Sequence, residues 1–248
     1  MRYCTLLFIL FFSFVANGQK KKKNTPHQNI VLTENQSSRY SIVLPSHPNV
    51  YEAKAATILQ KYLMEISGAA LPVISATQHR SSYEIVLGQN ERLDELSLNI
   101  NYQGLKDDGF VIKTDSSRLI IAGGSEKGTM YGVYSFLEKY LGCRMYTPRV
   151  KIIPSQPDIV LNRINDQQVP VIGFRDTHYR STWDAEYTDW HKIDHAPDGD
   201  RTDWGMWVHT FNELVPPQTY YQSHPEYFAM IKGKRLPTQL CFIKSGGS

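Results

Sequence analysis

Between residues 171 and 209 the chain gathers side chains suited to holding a polyhydroxylated ligand. Arg175, Asp176, His178 and Tyr179 follow the short apolar run 171–174, and all four tryptophans, Trp183, Trp190, Trp204 and Trp207, lie in the same window with His191, His195 and His209. Indole and phenol faces suit the apolar C–H faces of sugar rings, and their polar edges can bond hydroxyls. The planar fork of Arg175 can grip two neighbouring hydroxyls, or a carboxylate, bidentately. Arg175, Tyr179, Trp204, Trp207 and His209 are therefore the candidate ligand contacts. Each also has a structural reading. Arg175 could instead pair with Asp176 or another acid of the part of the chain from 171 onward, His209 could be a buried structural histidine, and the aromatics could pack against the preceding domain.

Other chemistries fit poorly. His191 and His195 are four residues apart, as two ligands on one helical face would be, with Asp194, Asp198 and Asp200 nearby. Pro197 and Gly199 break any helix there, no HExxH pattern occurs, and the acids do not match a calcium loop, so no metal is expected. The turn GGSEKGT at 123–129 lacks the GxxxxGK[ST] and GxGxxG orders; its glycines serve a sharp strand-to-helix turn, and no nucleotide or other cofactor is expected. The formal charge is +3 and the lysine run 20–23 carries much of it. No basic, aromatic-interleaved surface points to nucleic acid. Of three cysteines, Cys4 lies in a leader and Cys143 and Cys241 have no framework spacing, so both are expected to be free.

Several elements must position these residues. Residues 1–18 read as a cleavable signal peptide: Arg2 supplies the positive start, 6–15 the apolar core, and Ala16-Asn17-Gly18 the small-residue exit. Export to the periplasm or outside, with no retained membrane anchor, is the expectation. A disordered leader over 19–29 follows, and about 230 residues remain for folded structure. Strands are predicted at 30–32, 41–44, 71–74, 83–87, 110–114 and 118–122. Ala55, Ile58, Leu59, Tyr62, Leu63 and Ile66 share one face of a helix over 50–67 that Gly68 stops. Met130, Val133, Tyr134, Leu137, Tyr140 and Leu141 share one face of a second helix, capped by Ser125 and ended by Gly142. A lesser helix is read at 91–96. The expected fold is α/β, of the two-layer α+β kind: a mixed sheet with both main helices on one face.

The strand–strand–GG–helix–GCRMYTP run over 108–148 resembles the non-catalytic front domain of secreted glycoside hydrolases of the β-N-acetylhexosaminidase and α-glucuronidase type. AATILQKYLMEISGAALPV (55–73) and YEIVLGQN (83–90) are similar to the first helix and next strand of that domain. WGMWVHTF, LVPP, HPEYF and GKR within 204–235 resemble a group of large secreted bacterial proteins of uncharacterised function that carry the same front domain. The likeness covers roughly residues 28–241.

The resemblance implies a front domain at 30–161, a linker at 162–170, and at 171–248 the incomplete start of a (β/α)8 catalytic barrel whose first strand, 171–174, delivers Arg175. It also implies a substrate-contacting role for an arginine at that place. Hydrolysis of an O-glycosidic bond needs two carboxyl groups across the scissile bond. In barrels of this type they come from later strands, and about 77 residues follow Val171 where a barrel takes about 250. Catalytic residues are therefore unknown, and Asp176, Glu186, Asp189 and Asp203 do not qualify merely as carboxylates. The expected protein is a fragment of an exported glycan-degrading enzyme, inactive as given, with a glycan or oligosaccharide as partner. A non-enzymatic carbohydrate-binding or structural module is the alternative. Oligomeric state is not legible.

Overall fold

The computed structural model of the protein describes residues 29–96, 98–177, 179–194 and 210–241. The signal-peptide and leader readings, and His178, His195, Asp198, Asp200, Asp203, Trp204, Trp207 and His209, lie outside them. Among the described residues no helix is long and apolar enough to cross a membrane.

Strands β1 (Ile30–Thr33) and β2 (Ser41–Leu44) precede helix α1 (Val50–Ser67). Asn49 and Glu52 form a reciprocal capping box at its start, and Gly68 ends it at φ 77°. Then come β3 (Val73–Ser75), β4 (Glu84–Leu87), α2 (Glu91–Glu95), α3 (Tyr102–Leu105), β5 (Phe110–Asp115), β6 (Arg118–Gly123) and α4 (Gly128–Leu141). β7 (Arg144–Thr147), β8 (Val150–Ile152), β9 (Ile159–Leu161) and β10 (Asn165–Gln168) follow. Six strands form one mixed sheet in the order β10-β5-β6-β4-β2-β3, with β2, β3, β4 and β6 parallel and β5 antiparallel to its neighbours. β1 pairs with β9 and β7 with β8 in two separate ribbons.

Strand side chains alternate between the two faces of the sheet. Ile42, Ile85, Leu87, Ile112, Leu119 and Ile121 meet α1 and α4, as expected for two helices on one face. The other face is not bare: Val86, Val111, Ile120 and Ala122 are covered by Leu93, Leu105 and their neighbours from α2 and α3. A buried ion cluster pins that cover. Glu84, 1% exposed, takes Arg92 from α2 and Arg118 from β6, and Arg92 also donates to the carbonyls of Ala76 and Gln78. Among the described residues neither Cys143 nor Cys241 is in a disulfide.

Three readings need correction. Residues 162–170 do not form a simple connector, because Asn165–Gln168 adds an edge strand to β5 and extends the sheet. Ser125 does not cap α4: its hydroxyl is bonded to Asp107 and the helix begins after Lys127, with no side-chain cap. The strand expected at 171–174 is not formed. Arg175 Nη1 turns back to the carbonyls of Ile172 (2.7 Å) and Gly173 (3.3 Å), occupying acceptors that a ladder would use. Gly123 and Gly128 do serve close packing, since a Cβ on Gly123 would strike the backbone of Gly128 and Thr129 and one on Gly128 the carbonyl of Gly109.

After a 3-10 turn at Arg180–Trp183, helix α5 (Ala185–Trp190) lies against α4. Further on, α6 (Phe211–Leu214), α7 (Pro217–Tyr220) and the antiparallel pair β11 (Phe228–Ile231) and β12 (Lys234–Leu240) pack among themselves, with Tyr221 edge-on to Phe228.

Candidate functional site at the junction

Arg175 and Asp194 close a loop that contains the 3-10 turn and α5. Its ends are tied together: the Asp194 amide donates to the Arg175 carbonyl (2.7 Å), the Arg175 amide to an Asp194 carboxylate oxygen (2.8 Å), and Arg175 Nε to the Lys192 carbonyl (2.8 Å). The tied end is fastened to the front of the chain. Arg175 pairs with Asp108, just before β5, and Lys127 at the start of α4 pairs with Asp194 at 2.9 Å. Burial pulls the Arg175 pKa down, yet the bond to Asp108 and the charges of Asp194 and Asp108 more than offset this and leave it raised. The same contest, with Asp194 as the opposing partner, leaves Lys127 raised. Beneath them Tyr131 is 1% exposed and its hydroxyl makes no hydrogen bond among the described residues; burial first, then Asp108 and Asp194, push its pKa up.

The closed end of the loop is seated by α5. Asp184 caps the helix, its carboxylate accepting from the Tyr187 amide at 2.8 Å. Glu186, Asp189 and Trp190 occur at i, i+3 and i+4, on one face of a helix. Trp190 is 1% exposed and lies between Tyr62 of α1 and Tyr134 of α4, with ring centroids 5.4 and 5.1 Å away, while its indole N–H donates to Glu138 at 2.6 Å. Asp189 pairs with Lys54. Glu186 accepts from Tyr62 Oη (2.8 Å) and Lys151 (2.5 Å) and faces Lys61 at 3.3 Å. His191 Nε2 contacts the Met145 carbonyl at 2.9 Å; because a carbonyl only accepts, that nitrogen carries the proton.

Of the candidate ligand contacts, the loop holds two. Arg175 has most of its N–H donors committed to Asp108, Lys192, Ile172 and Gly173. Tyr179 stands 44% exposed with its hydroxyl 2.7 Å from that of Tyr187, a bond that helps raise Tyr187 to about 12. Trp183 is 61% exposed. The tryptophan cluster thus divides: Trp190 packs into the core and Trp183 faces solvent. Sequence reasoning passed over Lys54, Lys61, Asp108, Lys127 and Lys151. Their one legible signal was the seven-residue spacing of Lys54 and Lys61, which puts both on one stripe of α1.

Glu186 is unsuited to act as a general acid. Partial burial raises its pKa, but the bonds from Lys151 and Tyr62 and the charges of both lysines bring it below the usual value, where a general acid needs it raised.

Two family models match the sequence. Residues 15–136 match the glycosyl hydrolase family 67 N-terminus, and residues 145–246 match a domain of unknown function, DUF4838. The front domain is glycoside-hydrolase-like. This agrees with the likeness that the strand–strand–GG–helix run carries. Similar solved structures include a family GH115 4-O-methyl-α-glucuronidase with specificity for decorated arabinogalactans, 15% identical with a TM-score of 0.41 over 59% of this chain and 19% of that one. The GH20 β-N-acetylhexosaminidase of Streptomyces coelicolor A3(2) is also 15% identical, with a TM-score of 0.42 over 67% of this chain and 31% of that one. A GH138 enzyme targeting pectin rhamnogalacturonan II matches at 15% identity and a TM-score of 0.36, over 60% of this chain and 16% of that one. The chain therefore spans less than a third of the length of each. No curated protein matches it.

Proposed function

We propose that the chain is the front part of a glycan-degrading hydrolase of O-glycosidic bonds, exported by its leader. In this reading the α/β domain carries the start of a catalytic barrel, and Tyr179, Trp204, Trp207 and His209 meet the sugar. The observation that carries the reading is the match of residues 15–136 to the glycosyl hydrolase family 67 N-terminus. The half-exposed Tyr179 and exposed Trp183, both on a firmly held loop, are compatible with a sugar-facing surface. Arg175 has a narrower part, because its fork is largely occupied; it presents the loop and has little capacity left to grip two hydroxyls.

Calorimetric titration of the chain with oligosaccharides ending in glucuronate or N-acetylhexosamine tests this reading. Binding that Trp207→Ala and His209→Ala each weaken about ten-fold or more is the expected result, the loss of one stacking or hydrogen-bonding contact being of that order. No binding to any member of the panel at millimolar concentration would overturn it. Incubation with aryl hexosaminides, hexosides and uronides is expected to give no turnover that depends on Glu186, since that carboxylate is held ionised in an ion cluster.

A further inference from the structure

We propose that the front domain holds the rest of the chain through a non-covalent clasp, in which the closed loop of residues 175–194 occupies a lysine-rimmed aromatic slot between α1, α4 and the β7–β8 ribbon. The peptide connection itself is poorly placed to do this. Beyond β10 the chain is irregular, Val171 is 97% and Ile172 66% exposed, and a Cβ added at Gly173 would meet only open space. The slot, by contrast, is matched to its occupant in shape and in charge. Its floor is Tyr62 and Tyr134, which take the Trp190 ring, and Glu138 takes the indole proton. Lys54, Lys61, Lys127 and Lys151 form the rim, all on the front domain. All three acids that meet them, Glu186, Asp189 and Asp194, are on the loop. One pair of the opposite sense, Asp108 with Arg175, fixes the orientation of the tied end.

An aromatic ring sunk in a desolvated pocket and encircled by ion pairs is the arrangement that concentrates binding energy at protein interfaces. Residues with this pattern, a tryptophan with carboxylates one and four positions before it, are what the slot recognises. Here they come from the same chain. Placement of the loop is then set by side-chain complementarity and survives a break in the backbone.

Insertion of a site-specific protease sequence between Pro170 and Val171 of the full chain, followed by cleavage and gel filtration at micromolar concentration, tests the clasp. The two pieces are expected to elute together, and to separate progressively as salt screens the rim. Trp190→Ala is expected to weaken their association about 30-fold or more. Should that variant fold poorly, Lys54→Ala with Lys61→Ala alters only half-exposed rim residues and is expected to raise the dissociation constant while leaving the front piece folded by circular dichroism. Pieces that separate at once in low salt would overturn the proposal, as would co-elution indifferent to both sets of substitutions.

Discussion

At the scale of single residues, the decisive side chain is Arg175. An arginine after an apolar run could serve a ligand or an ion pair, and residue type does not distinguish these uses. The fork is engaged by the Lys192, Ile172 and Gly173 carbonyls and by Asp108, so the geometry favours the ion pair. Lysine keeps the charge but cannot span acceptors lying in different directions. Arg175→Lys is therefore expected to lower stability by about 1–3 kcal/mol in urea unfolding, the cost of leaving part-buried acceptors without donors. Tyr131 makes the opposite case. Its buried hydroxyl is without a hydrogen bond among the described residues, so Tyr131→Phe is expected to leave stability unchanged or raise it by up to about 1 kcal/mol. Arg92→Leu should do more damage, about 3–5 kcal/mol, because it leaves the buried Glu84 carboxylate with only the longer Arg118 contact and takes the donor from the Ala76 and Gln78 carbonyls.

At the scale of elements, α5 behaves as part of the front domain's core although it follows that domain in the chain. Trp190 and Tyr187 belong to the same apolar cluster as Leu59, Leu63 and Leu137. Truncating the indole to alanine is expected to cost about 3–5 kcal/mol. Docking of α5 should also depend on pH. The folded-state pKa of Glu186 lies below its ordinary 4.5, so its contribution is present above that value and is lost as pH falls through the lowered one. Lys127 is raised above its ordinary 10.5, so its contribution is present below that value and is lost as pH rises through the raised one. Urea midpoints measured from pH 7 down to pH 3 should therefore fall less steeply in Glu186→Gln than in the parent. Identical slopes would show that this carboxylate is not coupled to folding.

At the scale of the whole molecule, the boundary drawn at residue 161 divides a continuous core. A piece ending there lacks β10 and leaves the slot between Tyr62 and Tyr134 open to water. Residues 28–196 are expected to melt cooperatively, and several degrees above residues 28–165. About 2–4 °C per kcal/mol applies at this size, so a clasp worth a few kcal/mol is readily measured. Equal melting temperatures would mean that the loop adds nothing to the front domain. Export is tested separately: mass spectrometry of the secreted protein should find its first residue at or near Gln19, and a cytoplasmic protein retaining Met1 would refute the leader reading.

The main elements were legible in the sequence because their causes are local. The apolar faces of α1 and α4 follow from spacing, their ends from Gly68 and Gly142 in left-handed conformations, and the β5–β6 pairing from two β-branched runs around a turn. The run 171–174 had the same local signature and did not become a strand, because a strand also needs a neighbour and Arg175 claimed its carbonyls instead. Polar residues 165–168 had no such signature and joined the sheet, because β5 offered a free edge. Which tryptophan is buried, and which lysine meets which acid, depended on contacts between residues up to 135 positions apart, as between Lys54 and Asp189. Periodicity reports only which face of an element is apolar; the partner that covers that face is chosen when the chain closes on itself, and here that choice made Trp190, one of the four clustered tryptophans, part of the core.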